Sequence, residues 1–143
     1  GKDMAKFLKL GAKGVQMGTR FVTTFECSAA DEFKQAYLDA GEDDIVFIQS
    51  PVGMPAKAIR TKFLDEILRG ERKKFDCNYQ CLRTCDPATV QYCIAKGLID
   101  AVEGRIDDAV VFAGSNVSRI TKITSVKEVI ETIVREAEEE LSK

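Results

Sequence analysis

The chain has 143 residues, 45% of them hydrophobic and 31% charged, with a net charge of −2. That length suffices for one domain with a buried core, and nothing in the near-neutral balance suggests the basic surface of a nucleic-acid binder. No apolar run approaches the roughly 18 residues that a membrane span needs, and no secretion signal opens the sequence. There is no histidine, so the commonest general base and the commonest metal ligand are both missing. Five cysteines, an odd number, stand at Cys27, Cys77, Cys81, Cys85 and Cys93. Without a leader they imply a reducing, cytoplasmic setting.

In chain order, apolar spacing predicts a helix over residues 3–10, with Met4, Phe7 and Leu8 on one face and Gly11 as its stop. Residues 14–18 read as a buried strand. Ser28 with an acid three positions on predicts a helix start, with Phe33, Ala36, Tyr37 and Ala40 on the inner face. Residues 45–49 form a second short apolar strand. Pro51 and Pro55 bracket a turn, and from Pro55 a helix is expected to about residue 69. Asp86 followed by Pro87 predicts a helix whose stripe is Val90, Ile94, Leu98 and Val102, closed by Gly104. Residues 109–113 make a third strand. Ser125 and Glu128 form a capping box for a last helix, with Val129, Ile130, Ile133, Val134, Ala137 and Leu141 as its apolar stripe.

Strands alternating with helices predict parallel βα units and an α/β fold. Three strands cannot close a (β/α)8 barrel, which takes about 250 residues. The expectation is therefore an incomplete TIM barrel: βα units over 1–49, a helical lid over 50–105, and a return to the barrel over 106–143.

The chemistry concentrates at Gly14-Val15-Gln16-Met17-Gly18-Thr19-Arg20-Phe21. A strand that runs into Gly-Thr can present backbone N–H groups and a hydroxyl to an anion. The wider text Leu8-Lys9-Leu10-Gly11-Ala12-Lys13 and onward closely resembles the LGA-x-GVQMGTRF run of the nitronate monooxygenase family, formerly the 2-nitropropane dioxygenases, which also holds the FMN-dependent enoyl-ACP reductases. Ser50-Pro51-Val52-Gly53-Met54-Pro55-Ala56-Lys57-Ala58-Ile59-Arg60 resembles the family's S-x-x-G-x-P-x-R-A-I-R region. Cys77-Asn78-Tyr79-Gln80-Cys81 with Cys85-Asp86-Pro87 resembles a cysteine-bearing subgroup, and Ala113-Gly114-Ser115-Asn116 stands where the family carries its loop near the flavin.

The resemblance covers nearly the whole chain and the last part of the family's length. It implies a flavin-binding barrel in which Gln16, Met17, Gly18 and Thr19 belong to the FMN phosphate grip, with Gly114 and Ser115 beside the flavin. It also implies a nitronate or enoyl-thioester substrate, with NAD(P)H as a possible reductant. The histidine that relatives use lies upstream of this chain, so no catalytic residue is assigned. Alone, the chain is expected to be inactive, and its open strand edges predict a homo-oligomer.

Arg20 and Arg60 read as phosphate or acidic-carrier contacts on one view and as surface ion pairs on the other. Cys77, Cys81 and Cys85 recur every four residues, which on a helix stacks three thiols on one face. With Cys93 they number four potential ligands for zinc or an iron–sulfur cluster. No CxxC pair is present and a straight helical row surrounds a metal poorly, so reduced thiols without a metal are the expectation, with redox disulfides a third reading. Cys85, just ahead of a predicted helix, is expected to have a lowered thiol pKa.

Overall fold

A computed structural model describes every residue except Tyr79 and Thr84. Both of these lie in the cysteine motif. The chain divides into two compact units, Gly1–Ser28 with Lys122–Lys143, and Ala29–Thr121. No helix, among the described residues, is long and apolar enough to cross a membrane.

The first unit is helical. It holds α1 (Lys2–Lys9), α2 (Thr19–Val22) and α6 (Val126–Leu141). α1 stops as predicted, with Gly11 at φ 98, but its buried residue is Ala5, while Phe7 is exposed. α6 starts where the capping box predicts: the Ser125 side chain accepts from the Glu128 amide at 3.1 Å. It buries Val129 and Ala137, whereas Ile130, Val134 and Leu141 are exposed. Lys9 Nζ donates to the Glu140 carbonyl at 2.7 Å, tying α1 to the last turn of α6. Ser125→Ala leaves an N-terminal donor of α6 without its partner, and is expected to lower the urea-unfolding free energy by about 1 kcal/mol.

Residues 14–18 are not a strand. They run as irregular chain, mostly exposed, straight into α2. A single strand satisfies its amides and carbonyls only against a neighbour, and no segment among the described residues pairs with it. The ladder contact of this unit comes later: Thr24 bridges Thr124 in parallel, and Thr124 also takes the Phe25 amide at 3.0 Å.

The second unit carries α3 (Asp31–Asp39), β1 (Ile45–Gln49), β2 (Pro55–Ile59), α4 (Lys62–Leu68) and α5 (Ile94–Val102). β1 falls where the Ile-Val-Phe-Ile run predicts. β2 corrects the helix expected from Pro55: those residues pair antiparallel with β1, Ile45 opposite Ile59 and Gln49 opposite Pro55. Proline is tolerated there because it is the first residue of its strand. The helix proper starts later, where the Thr61 hydroxyl accepts from the Leu64 amide at 3.2 Å.

Residues 109–113 flank β2 rather than a parallel neighbour. Ala58 bridges Phe112 antiparallel, and the Ile59 amide donates to the Val111 carbonyl at 2.8 Å. The sheet is thus antiparallel, and β1 and 109–113 point the same way with β2 between them.

The expected helix from Asp86 is likewise shorter. Asp86 does cap, accepting from the Ala88 amide at 2.9 Å, but it caps an isolated turn, and α5 begins only at Ile94. Gly104 ends α5 with φ 85, the left-handed stop that was expected. The core of this unit is Val46, Ile48, Ala58, Phe63, Leu64 and Val110, packed with Ile67 and Tyr92. Tyr92 meets Phe63 edge-on at 5.3 Å, and burial pushes its hydroxyl up to about 12.

Candidate functional site

The predicted phosphate residues lie in the first unit. Gln16 and Gly18 are exposed, Met17 and Thr19 half-buried. Gly18 has φ −110, a conformation any residue adopts. A Cβ at Gly18 would meet no atom within 4 Å, and the same holds at Gly14. Neither backbone conformation nor protein packing therefore asks for glycine here. What the missing side chains provide is uncovered main chain.

α2 is fixed behind this loop. The Phe21 amide donates to the Gly18 carbonyl at 2.9 Å, and the Thr24 hydroxyl donates to the Phe21 carbonyl at 2.8 Å. Two polar atoms of the segment are buried without a hydrogen-bond partner: Nη1 of Arg20 and Oγ1 of Thr23. Buried polar groups are nearly always satisfied, so such orphans point to a missing acceptor or donor. An anion is the acceptor a guanidinium fits best. Glu128 stands on the other side of the account. Its carboxyl lies below the ordinary range chiefly because Lys122 and Thr124 donate to it, with the Arg20 charge a lesser cause.

The other predicted flavin residues, Gly114 and Ser115, lie in the second unit, just past the extended run 109–113. Lys57 Nζ donates to Ser115 Oγ at 2.5 Å and sits 4.9 Å from the centre of the Phe47 ring. Lys57 was not singled out from the sequence, although its place matched the basic position of the S-x-x-G-x-P-x-R motif. Reading that stretch as helix hid it; on β2, Lys57 is brought across to the loop after 109–113. Arg60 pairs with Asp65 at 3.5 Å in solvent, an ordinary surface ion pair.

Cys77, Cys81, Cys85 and Cys93 are all free thiols and line one cavity of about 250 Å³. Its apolar wall is Phe75, Leu82, Pro87 and Ile94. The helical row of cysteines is corrected: residues 71–93 contain neither helix nor strand among those described, and the chain turns left-handed at Gln80, φ 43. The lowered pKa of Cys85 is corrected too. Desolvation pushes this thiol up, and the neighbouring Cys77, Cys81 and Cys93 push it further; no helix begins beside it. Among the described residues, no three cysteine, aspartate or glutamate side chains stand where they could hold a single metal ion.

Comparison with known proteins agrees with this picture. The profile of nitronate monooxygenase matches residues 1–136. A 5-hydroxy-7a-methyl-1-oxo-octahydro-1H-indene-4-carboxyl-CoA dehydrogenase of Mycobacterium tuberculosis is 38% identical over 74 residues, 52% of this chain and 21% of that protein. A probable nitronate monooxygenase of Staphylococcus saprophyticus is 36% identical over 67 residues, 47% of this chain and 19% of that protein.

Among solved structures, FabK from Thermotoga maritima superposes with a TM-score of 0.77 at 28% identity, over 99% of this chain and 42% of that one. Its M276A mutant gives 0.76 at 27%, over 99% and 40%. The chain thus spans about a fifth of the curated relatives and two-fifths of the solved structures. The α/β, TIM-barrel-family expectation holds on these likenesses. With 136 consecutive residues matched to one profile, this chain belongs to the nitronate monooxygenase family.

Proposed function

We propose that this chain is the C-terminal part of an FMN-dependent oxidoreductase that oxidises nitronates, and that its first unit grips the FMN phosphate. One observation carries the reading: a buried, unpartnered guanidinium atom on Arg20, two positions past the uncovered backbone of Gly18. Gly18, Thr19 and Arg20 would hold the phosphate, with Gln16 and Met17 leading into them. Gly114 and Ser115, with Lys57 hydrogen-bonded to Ser115, would border the flavin; residues 50–105 supply β2 and much of the core of their unit rather than a separate lid. FMN, when bound, supplies the hydride and electron chemistry; these residues bind and orient it. No residue of the chain is assigned a proton-transfer role.

A second reading is reduction of an enoyl thioester with NAD(P)H; the relative named for a carboxyl-CoA dehydrogenase shares with it only a CoA-thioester substrate. Self-association completes the proposal, because β1 leaves one edge unpaired among the described residues and shows Phe47 to solvent.

The test is to purify the full-length protein and supply FMN. Flavin absorption with stoichiometric retention is expected, together with consumption of a nitronate such as that of 2-nitropropane. Consumption of an enoyl thioester with NAD(P)H, and none of the nitronate, would establish the second reading. A protein that stays colourless after incubation with FMN would overturn both. Light scattering after size exclusion is expected to show a dimer or larger; a monomer at every concentration would remove the self-association.

A further inference from the structure

We propose that Cys77, Cys81, Cys85 and Cys93 ligate a cubane iron–sulfur cluster of four irons and four sulfides. The inference does not depend on the flavin reading. It begins with how the thiols are spread. A tetrahedral zinc site with Zn–S of about 2.3 Å needs its sulfurs about 3.8 Å apart. No three potential ligands among the described residues are gathered to serve one ion. Instead all four cysteines stand around a common space of about 250 Å³, several times the ~30 Å³ share of one water. Thiolates on a cubane are separated by the width of the cluster, so four cysteines lining one roomy cavity suit that guest.

The surroundings agree. Phe75, Leu82, Pro87 and Ile94 give the cavity an apolar wall, which shields a cluster from water and sets its potential. Arg83 also lines it, a cation beside what would be a net anionic group. The ligands come from a loop, residues 71–93, with no regular secondary structure among the residues described. Loops beyond about 12–15 residues without structure of their own are uncommon in compact domains and are usually functional or disordered. This one is held in place, because the Lys73 amide donates to the Gln91 carbonyl at 2.8 Å across its neck. Gln80, between Cys77 and Cys81, has φ 43 in the left-handed region, which breaks the regular helical row in which three thiols would line up.

Ligation balances simply. Four thiols become four thiolates and release four protons. No electron moves if iron is supplied as equal parts ferrous and ferric with sulfide, the valence mixture of the oxidised core.

The experiment is anaerobic reconstitution of the full-length protein with that mixture, followed by iron, sulfide and zinc analysis and by electron paramagnetic resonance after dithionite. About four irons and four sulfides per chain are expected, with a resonance from the reduced cluster that flavin alone does not give. Cys81→Ser is expected to abolish both, since Cys81 is exposed and its loss leaves the fold intact by circular dichroism. Cys27→Ser, outside the cavity, is expected to retain both. Cys77→Ser repeats the test if Cys81→Ser misfolds. One zinc per chain, iron without sulfide, two irons with two sulfides, cysteines recovered as disulfides or as four freely titrating thiols, or full cluster content in a folded Cys81→Ser protein would each overturn the proposal.

Discussion

Arg20→Ala in the full-length protein is expected to weaken FMN binding by about 10- to 100-fold. The magnitude follows from a charge-assisted hydrogen bond, about 1.5–3 kcal/mol, at a factor of ten per 1.4 kcal/mol. The same substitution should leave the stability of the apoprotein unchanged or slightly higher. Arg20 Nη1 is already buried without a partner, so its removal takes away an unsatisfied group, offset only by the loss of a minor attraction to Glu128. That combination separates a ligand-binding arginine from a structural one, which would lose stability in the apoprotein as well. Arg20→Lys should recover only part of the affinity, because a point charge replaces a planar fork. Flavin fluorescence titration and thermal unfolding without FMN give the two readouts. Unchanged affinity in Arg20→Ala would remove this residue from the phosphate grip.

Asp100→Asn is expected to destabilise the chain by about 3 kcal/mol. Asp100 is 1% exposed, in α5. Its two oxygens take Lys96 Nζ at 2.5 Å and a fork from Arg105, Nε at 2.9 Å and Nη2 at 2.5 Å. Breaking a buried ion pair costs about 3–5 kcal/mol. The lower end applies because Lys96 and Arg105 are half in water and can turn to solvent.

The pH dependence has a definite sign. Desolvation raises the Asp100 carboxyl, but the hydrogen bonds from Lys96 and Arg105 outweigh it and hold the group below its ordinary 3.8. A depressed carboxyl contributes stability above its unfolded value and loses it as pH falls through the folded one. The difference between the parent and Asp100→Asn should therefore be constant above about pH 5 and shrink as pH falls below about 4. Urea unfolding at pH 7 and at pH 3 checks it; an equal difference at both would show that the charge of Asp100 is not what stabilises the turn.

What was legible in the sequence was local. Ser125 caps α6 through its own next turn, and Ile45 to Ile48 form a strand because four apolar residues suit little else. Gly104 stops α5 by its backbone freedom. The errors came where a distant partner decides. Ala56, Lys57 and Ala58 are good helix formers, yet hydrogen bonds to β1 on one side and to residues 111 and 113 on the other draw them into the sheet. Residues 14–18 have strand-like composition but no neighbouring segment to pair with.

The site divides in the same way. The resemblance of Gly18 and Thr19 to a phosphate motif is visible in the sequence, whereas the orphaned atom of Arg20 depends on what surrounds it. The four-residue cysteine spacing suggested a helical stripe. Only the fold, with a left-handed Gln80 and no helix among the described residues there, shows that the thiols line one cavity.

The tie across residues 71–93 has an evolutionary corollary. Besides the Lys73–Gln91 bond, Arg72 donates to the Pro87 carbonyl at 2.6 Å and to that of Val90 at 3.2 Å. Gln91 Nε2 reaches back to the Ile67 carbonyl at 3.1 Å. A segment clamped at its base is a detachable cassette: lengthening or trimming it changes closure entropy only slowly. Homologues could gain or shed Cys77, Cys81 and Cys85 in one insertion or deletion event, with the core residue Tyr92 beyond them left in place.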